Sequence, residues 1–281
     1  MFDRFERPIT YLRISVTDKC NLRCRYCMPP EGVPPRRHED LLPLESLAEA
    51  ARAAVGLGVT KIRLTGGEPL VRRGIVDLVR LIAAVEGLEH LGMTTNGTLL
   101  APRARELKEA GLDSVNVSLD TLIPERYAEI TRGGSIEAAL EGIRAAGEAG
   151  LPLKINMVAL GDTSNEEIDA MRDYCSSIHA RLQLINHFDL TRQKGEENAA
   201  MSGRGNAAMS GRGYSFDRPP SCAGCNRIRL LSDGTLKPCL HSEEEVRLDP
   251  ARLTDSLREA ILAKPRRGGA CTSRSMRQIG G

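Results

Sequence analysis

The chain has 281 residues, is 41% hydrophobic, and sets 39 Lys and Arg against 37 Asp and Glu. That length supports one sizeable core, and the near-balance of charge leaves no strong global field to collect DNA or RNA. Aromatics are only 3% with no Trp, so base-stacking platforms are sparse, and no run of about 18–20 apolar residues offers a membrane span. Met1–Glu6 lacks the apolar core of a secretory signal. The expectation is a cytoplasmic protein whose thiols stay reduced. Eight cysteines are present, and six of them fall into two tight groups. That clustering argues for metal rather than disulfides.

In chain order, residues 11–17 alternate and are β-rich, which reads as a strand. The first cysteine loop follows at once. A helix is expected over 44–57, a strand over 60–65, and a Gly66-Gly67 turn after it. Then come a helix at 73–86, a strand near 88–95, a helix at 101–110 capped by Gly111, and a strand at 113–119. A helix at 135–149, a strand at 152–159, a helix from 165 to about 176 and a strand near 181–187 complete the series. Alternation of six strands with helices implies a parallel sheet with helices outside it. Six units are too few for a closed eightfold barrel. The fold class is therefore α/β, a partial (β/α)6 TIM-like barrel with a small C-terminal iron–sulfur module. Function should sit at the carboxyl ends of the strands.

The domain expectation is a barrel over 1–190, a linker over 191–219 and a second cysteine module with its tail over 220–281. The linker contains NAAMSGRG at 198–205, repeated identically at 206–213. Small residues dominate, so it reads as a flexible surface segment. The alternative is a basic substrate-contacting loop through Arg204 and Arg212.

Cys20-x3-Cys24-x2-Cys27 lies on a loop directly after a strand. Three thiolates at this spacing can hold three irons of a [4Fe–4S] cubane, leaving the fourth iron open. An open iron can chelate an amine and a carboxylate, and S-adenosylmethionine offers both. The alternative is a structural zinc site, but the nearest histidine, His38, is badly spaced for a fourth ligand. Tyr26 would sit near the adenine or simply pack the loop. Cys222-x2-Cys225-x13-Cys239 again gives three thiolates, and a zinc ribbon completed by His241 stays open on spacing alone. Cys175, inside an expected helix, reads as a small buried residue.

The stretches LRISVTDKCNLRCRYCMPPEGV, TGGEPLVRRG (65–74), TTNG (94–97), NVSLDTL (116–122) and CAGCNRIRLLSDGTLKPCL (222–240), with the terminal Gly-Gly, resemble the GTP 3′,8-cyclase family of molybdenum cofactor biosynthesis. The resemblance covers nearly the whole chain. It implies a radical S-adenosylmethionine (SAM) enzyme with two [4Fe–4S] clusters, one on Cys20, Cys24 and Cys27 and one on Cys222, Cys225 and Cys239. It implies that Tyr26, Gly66, Gly67, Glu68, Thr95, Asn96 and Ser118 surround S-adenosylmethionine; without it, the polar residues among these read equally well as caps. Asp120 joins them at a strand end. It implies that Arg13, Arg72, Lys154, Arg227 and Arg229 bind the substrate GTP, with Arg73 a similar candidate, and that Gly280 and Gly281 thread into the active site. The reaction implied is abstraction of the ribose 3′-hydrogen by a 5′-deoxyadenosyl radical and closure on guanine C8, giving 3′,8-cyclo-7,8-dihydro-GTP. Implied partners are a low-potential electron donor such as flavodoxin or ferredoxin, and a homodimer is left open. Three features depart from the family pattern. Gln183 stands where the sixth strand usually carries an arginine, with Arg181 nearby; the segment before Cys222 is short; and Cys271 precedes the tail. These keep a second reading in view, a related two-cluster radical enzyme acting on a peptide or another small molecule, with Cys271 as a fourth ligand.

Overall fold

The computed structural model describes every residue except 33, 35, 188–220, 275, 280 and 281. The expected linker, its repeat and the Gly280-Gly281 tail therefore lie outside the described residues. Six strands alternate with helices: β1 (Tyr11–Ser15), α1 (Leu44–Gly56), β2 (Lys61–Thr65), α2 (Ile75–Ala83), β3 (His90–Thr95), α3 (Ala104–Glu109), β4 (Ser114–Ser118), α4 (Pro124–Thr131), α5 (Ile136–Glu148), β5 (Leu153–Ala159), α6 (Asn165–Ser177) and β6 (Arg181–Asn186). Strands β1 to β6 are parallel and pair in sequence order.

The expected alternation is present, and one helix is added to it. Helix α4 was missed because only Tyr127, Ile130 and Thr131 are buried on it, too few to mark a 3.6-residue period. Pro124 at its first turn and Arg132 in the left-handed conformation just past its end (φ 56°) were the available signals.

The C-terminal segment extends the same sheet. Strand β7 (Arg227–Leu230) lies parallel to β1 on its other side, and β8 (Thr235–Lys237) and β9 (Val246–Arg247) follow antiparallel. The sheet order is β6-β5-β4-β3-β2-β1-β7-β8-β9. Helix α7 (Leu253–Leu262) then packs on α1, and α8 (Met276–Ile279) closes the described chain. The loop after the first cysteines is pinned to the β7–β8 turn. Arg36 pairs with Asp233 at 2.6 Å, and the Leu42 N–H donates to the Ser232 carbonyl at 2.8 Å.

The period of two explains which face does what. Leu12 and Ile14, Ile62 and Leu64, Leu91 and Met93, Val115 and Val117, Ile155 and Met157, and Ile228 and Leu230 join helix residues such as Leu47, Leu78, Ile82 and Ile143 in one buried core. Each such side chain contributes on the order of 2 kcal/mol by burial. The alternate positions place Arg13, Arg63, Gly92, Asn116, Lys154, Gln183, Arg227 and Arg229 on the opposite, inner face. A polar interior facing an apolar helix layer is the arrangement of a binding barrel.

Candidate functional site

Strand β1 delivers the chain into the first cysteine loop, and the Gly66-Gly67 turn after β2 braces it from beside. The Gly67 N–H donates to the Thr17 carbonyl and the Glu68 N–H to the Lys19 carbonyl, both at 2.8 Å. A Cβ at Gly66 would stand 2.5 Å from the Thr17 oxygen, and one at Gly67 2.5 Å from the Lys19 oxygen. Close backbone approach does explain these glycines, and the backbone they approach is the segment between β1 and Cys20. The N–H groups of Cys27 and Met28 both donate to the Cys24 carbonyl, at 2.9 and 3.0 Å, which curls Cys24 and Cys27 into one turn. Cys20 Sγ accepts from the Leu22 N–H at 3.4 Å, with Asn96 Nδ2 at 3.9 Å. Burial, then Asp120, then the neighbouring Cys27 and Cys20 push the Cys24 thiol well above its ordinary range. Thiols that raise one another in this way become ligands when iron supplies the opposing charge.

Three residues expected to touch S-adenosylmethionine hold the scaffold together. Glu68 is fully buried. Its Oε1 accepts from the Leu70 N–H at 2.9 Å and the Thr95 hydroxyl at 2.8 Å, and its Oε2 accepts from the Asn96 N–H at 2.7 Å. Thr95 shares the parity of Met93, so its side chain falls on the core side of β3. Asn96 donates to Asn21 Oδ1 at 2.9 Å and accepts from the Thr98 N–H at 3.0 Å. Their side-chain polar atoms are thus committed to the ends of β2 and β3 and to the cysteine loop.

Burial raises the Glu68 carboxyl to about 7, against the lowering effect of its three donors. The folded chain therefore binds a proton here between about pH 4.5 and pH 7 that the unfolded chain has released. Stability from this group is full below pH 4.5 and is lost as pH rises through 7, by a few kcal/mol at most. Glu68→Gln cannot titrate, and its amide NH2 faces a donor, costing about 1–3 kcal/mol at pH 5. Urea unfolding of the metal-free chain should show the wild type losing stability from pH 5 to pH 7.5 relative to Glu68→Gln. Parallel curves would remove the assignment.

Tyr26 donates through its hydroxyl to Asp120 Oδ2 at 2.9 Å, and Asp120 Oδ1 accepts from the Val158 N–H at 2.8 Å. Burial lifts Asp120 to about 6, opposed by those two donors. The pair fixes the Tyr26 ring beside the cysteines at the ends of β4 and β5. Ser118 pairs in register with Asn156, and Asn156 with Gln183. Arg181 is in register with Lys154, one layer below Gln183, so it supplies charge at a different depth from the arginine that the family pattern expects.

On the other side of the barrel the register gathers cations. Arg63, Arg13 and Arg229 are cross-strand neighbours on β2, β1 and β7, and Lys61, Tyr11 and Arg227 form the next layer. Arg63 and Arg229 are each only 6% exposed. Burial, together with the like charges of Arg229, Arg63 and Arg227 and against the phenol of Tyr11, pulls Arg13 down to about 9. Arg63 donates through Nε to Tyr11 Oη at 3.0 Å and through Nη1 to the Met93 carbonyl at 3.0 Å. Gly92 makes room for it, since a Cβ there would lie 2.8 Å from Arg63 Nη2. Lys61 and Arg227 lie over the Tyr11 ring at 5.6 and 5.4 Å. The Nε atoms of Arg227 and Arg229 are buried without a hydrogen-bond partner. Like charges concentrated in a buried layer with orphaned donors call for a polyanion. Lys61 and Arg63 were missed by sequence reasoning; their alternation with Ile62 and Leu64 just before the glycine turn was the usable signal. Arg72, expected at the substrate, instead donates through Nη2 to the Leu42 carbonyl at 2.8 Å on the loop before α1, and Arg73 is exposed.

The second cysteine group lies at the start of β7 and just after β8. The Gly268 N–H donates to Cys222 Sγ at 3.5 Å, and a Cβ on Gly268 would stand 3.2 Å from Cys239 Sγ. One glycine therefore fits between two of the three sulfurs. The Arg7 Nη1 holds the Cys222 carbonyl at 2.6 Å. Burial alone would raise the Cys225 thiol, but Lys264 and the Arg227 N–H outweigh it and bring it below its usual value. Arg229 acts on Cys225 and Cys239 together, so the sulfurs and the arginine layer share one space. Cys271 is fully buried in its own small cluster with Leu231 and Ile279, its Sγ 3.9 Å from Glu243 Oε2. Cys175 is likewise a buried residue of the main core. Among the described residues no three His, Cys, Asp or Glu side chains already surround a single metal-ion position. A cubane does not require that, because each thiolate takes a different iron.

Fold and site define a radical SAM protein, and comparison with known proteins agrees. The family model described as the radical SAM superfamily matches residues 14–175. In shape the chain is similar to Streptococcus suis SuiB bound to S-adenosylmethionine (TM-score 0.67, 17% identity, 92% of this chain and 64% of that one). It is also similar to anSMEcpe with bound AdoMet (TM-score 0.63, 18% identity, 92% and 81%). Within that superfamily the chain belongs to the GTP 3′,8-cyclase family. It is 42% identical to the GTP 3′,8-cyclase of Peptoclostridium acidaminophilum over all of this chain and 98% of that one. It is 42% identical to that of Moorella thermoacetica over the full length of both, and 39% to that of Geobacter sulfurreducens over all of this chain and 99% of that one. The first of these alignments runs over 321 positions against 281 residues here, so that relative carries segments this chain lacks. The superfamily's cofactors, S-adenosylmethionine and a [4Fe–4S] cluster, fit the first cysteine turn.

Proposed function

We propose that this chain converts GTP to 3′,8-cyclo-7,8-dihydro-GTP in molybdenum cofactor biosynthesis. The single observation that carries the substrate is the buried cation layer of Arg13, Arg63, Arg227 and Arg229 on the inner face of the sheet, with two orphaned guanidinium Nε atoms. Its charge and forked donors suit a triphosphate. When bound, a [4Fe–4S] cluster on Cys20, Cys24 and Cys27 with S-adenosylmethionine supplies the 5′-deoxyadenosyl radical that takes the ribose 3′-hydrogen. The chain's own residues do the rest. Asp120 orients Tyr26 against the adenosyl side, and the Gly66-Gly67 backbone seats the methionyl end. The arginine layer fixes the triphosphate so that the ribose is presented toward the strand ends.

Cys222, Cys225 and Cys239 are proposed to hold a second [4Fe–4S] cluster next to the substrate, and Gly280 and Gly281 to complete the pocket. The reductant is proposed to be a low-potential carrier of the flavodoxin or ferredoxin kind, and the setting the cytoplasm. No helix among the described residues is long and apolar enough to cross a membrane. The test is anaerobic incubation of reconstituted protein with GTP, S-adenosylmethionine and a reductant, followed by mass analysis. The expected result is 5′-deoxyadenosine together with a GTP isomer of unchanged mass. Release of 5′-deoxyadenosine with GTP left intact would reject the substrate and keep the class.

A further inference from the structure

A single buried cation ties the second cysteine group together, and no motif in the sequence marks it. Lys264 follows α7 and is 2% exposed. Its Nζ donates to the Arg227 carbonyl at 2.7 Å and to the Pro238 carbonyl at 2.9 Å. Arg227 begins β7 two residues after Cys225, and Pro238 immediately precedes Cys239. The ammonium is thus held between the carbonyl that opens β7, two residues past Cys225, and the carbonyl directly before Cys239, and both thiols act on it electrostatically. Among the described residues no carboxylate pairs with it, its contacts being the two carbonyls; burial pulls its pKa down, and the Cys225 and Cys239 thiols oppose that shift. A buried ammonium needs nearby negative charge to be tolerated. Here that charge can come from the cysteine sulfurs.

We infer that Lys264 is the charge partner of the second cysteine group, stabilising its thiolates as cluster ligands and raising the reduction potential of the cluster they hold. It is a positioning residue, since it holds the backbone beside the sulfurs rather than substrate. The inference rests on the proposed second cluster. Adding an electron makes a cluster more negative, so a fixed cation at its ligands favours the reduced state.

The test uses the full chain with Cys20, Cys24 and Cys27 replaced by Ala, so that the measured cluster is the second one. This parent should hold about four irons after anaerobic reconstitution. In the same background Lys264→Met, which keeps length but not charge, is expected to lower the reduced-to-oxidised ratio at a fixed potential about tenfold. That corresponds to a midpoint about 59 mV more negative for a one-electron couple, read by redox titration with electron paramagnetic resonance. Lys264→Arg is expected to restore the parent's value. Loss of iron in Lys264→Met with retention in Lys264→Arg also supports a role of charge. An unchanged midpoint in Lys264→Met overturns the inference. So does equal loss of iron in both variants, which would make Lys264 a clasp for two carbonyls only. A parent without iron overturns the second-cluster reading itself and the inference with it.

Discussion

Cys24→Ala is expected to abolish release of 5′-deoxyadenosine from reduced protein supplied with S-adenosylmethionine. The drop should be on the order of 10³ or more, about 4 kcal/mol of barrier at least. Cys24 is the middle cysteine of the first group, and its carbonyl receives the N–H groups of both Cys27 and Met28. The substitution leaves those backbone bonds in place, so the loop should keep its shape while one iron loses its thiolate. Far-ultraviolet circular dichroism should match the wild type, and iron content should fall by about four per chain. Cleavage that persists at wild-type rate would end the assignment of the first site.

The second large effect is expected in the arginine layer. Arg227→Ala combined with Arg229→Ala should weaken GTP binding and GTP consumption by about 10²–10³-fold, while cleavage of S-adenosylmethionine in the absence of GTP continues. Each charge-assisted hydrogen bond contributes about 1.5–3 kcal/mol. The two residues lie on one face of one strand and share a ligand, so the losses should fall short of additive. Lys at either position should recover only part of the binding, because an ammonium cannot reproduce the forked donor geometry. The check is direct GTP titration of the metal-loaded protein alongside turnover. Unaltered GTP affinity in the double variant would move the triphosphate elsewhere and favour a different substrate.

The two experiments separate what the site does from what it acts on. A chain that fails the first is not a radical enzyme at these cysteines. A chain that passes the first and fails the second retains its radical chemistry with another ligand in the arginine layer. The similar shapes of SuiB and anSMEcpe, at 17% and 18% identity, bear on the fold alone.

Much of this was legible in the sequence because it is local. Ligand spacing such as Cys20-x3-Cys24-x2-Cys27 is fixed by a few consecutive residues. The periods of two and 3.6 mark strands and helices within windows of ten or so residues. The glycine turn at 66–67 announces a close approach without saying to what. The sequence thus determined the grouping of the cysteines and the parallel α/β order of the first six strands.

Tertiary structure decided the rest, because those features depend on pairings between distant residues. Strand β7 settles beside β1, more than two hundred positions away, and only that register sets Arg227 and Arg229 against Arg13 and Arg63. Glu68 becomes a buried clasp because the end of β3 brings it two donors, the Thr95 hydroxyl and the Asn96 N–H. Lys264, an ordinary basic residue after a helix, becomes a buried cation because β7 and the Cys239 loop close over it. Hydrogen bonds and charge effects act over a few ångströms in space, whatever the separation along the chain. A single sequence states the residues but not those distances.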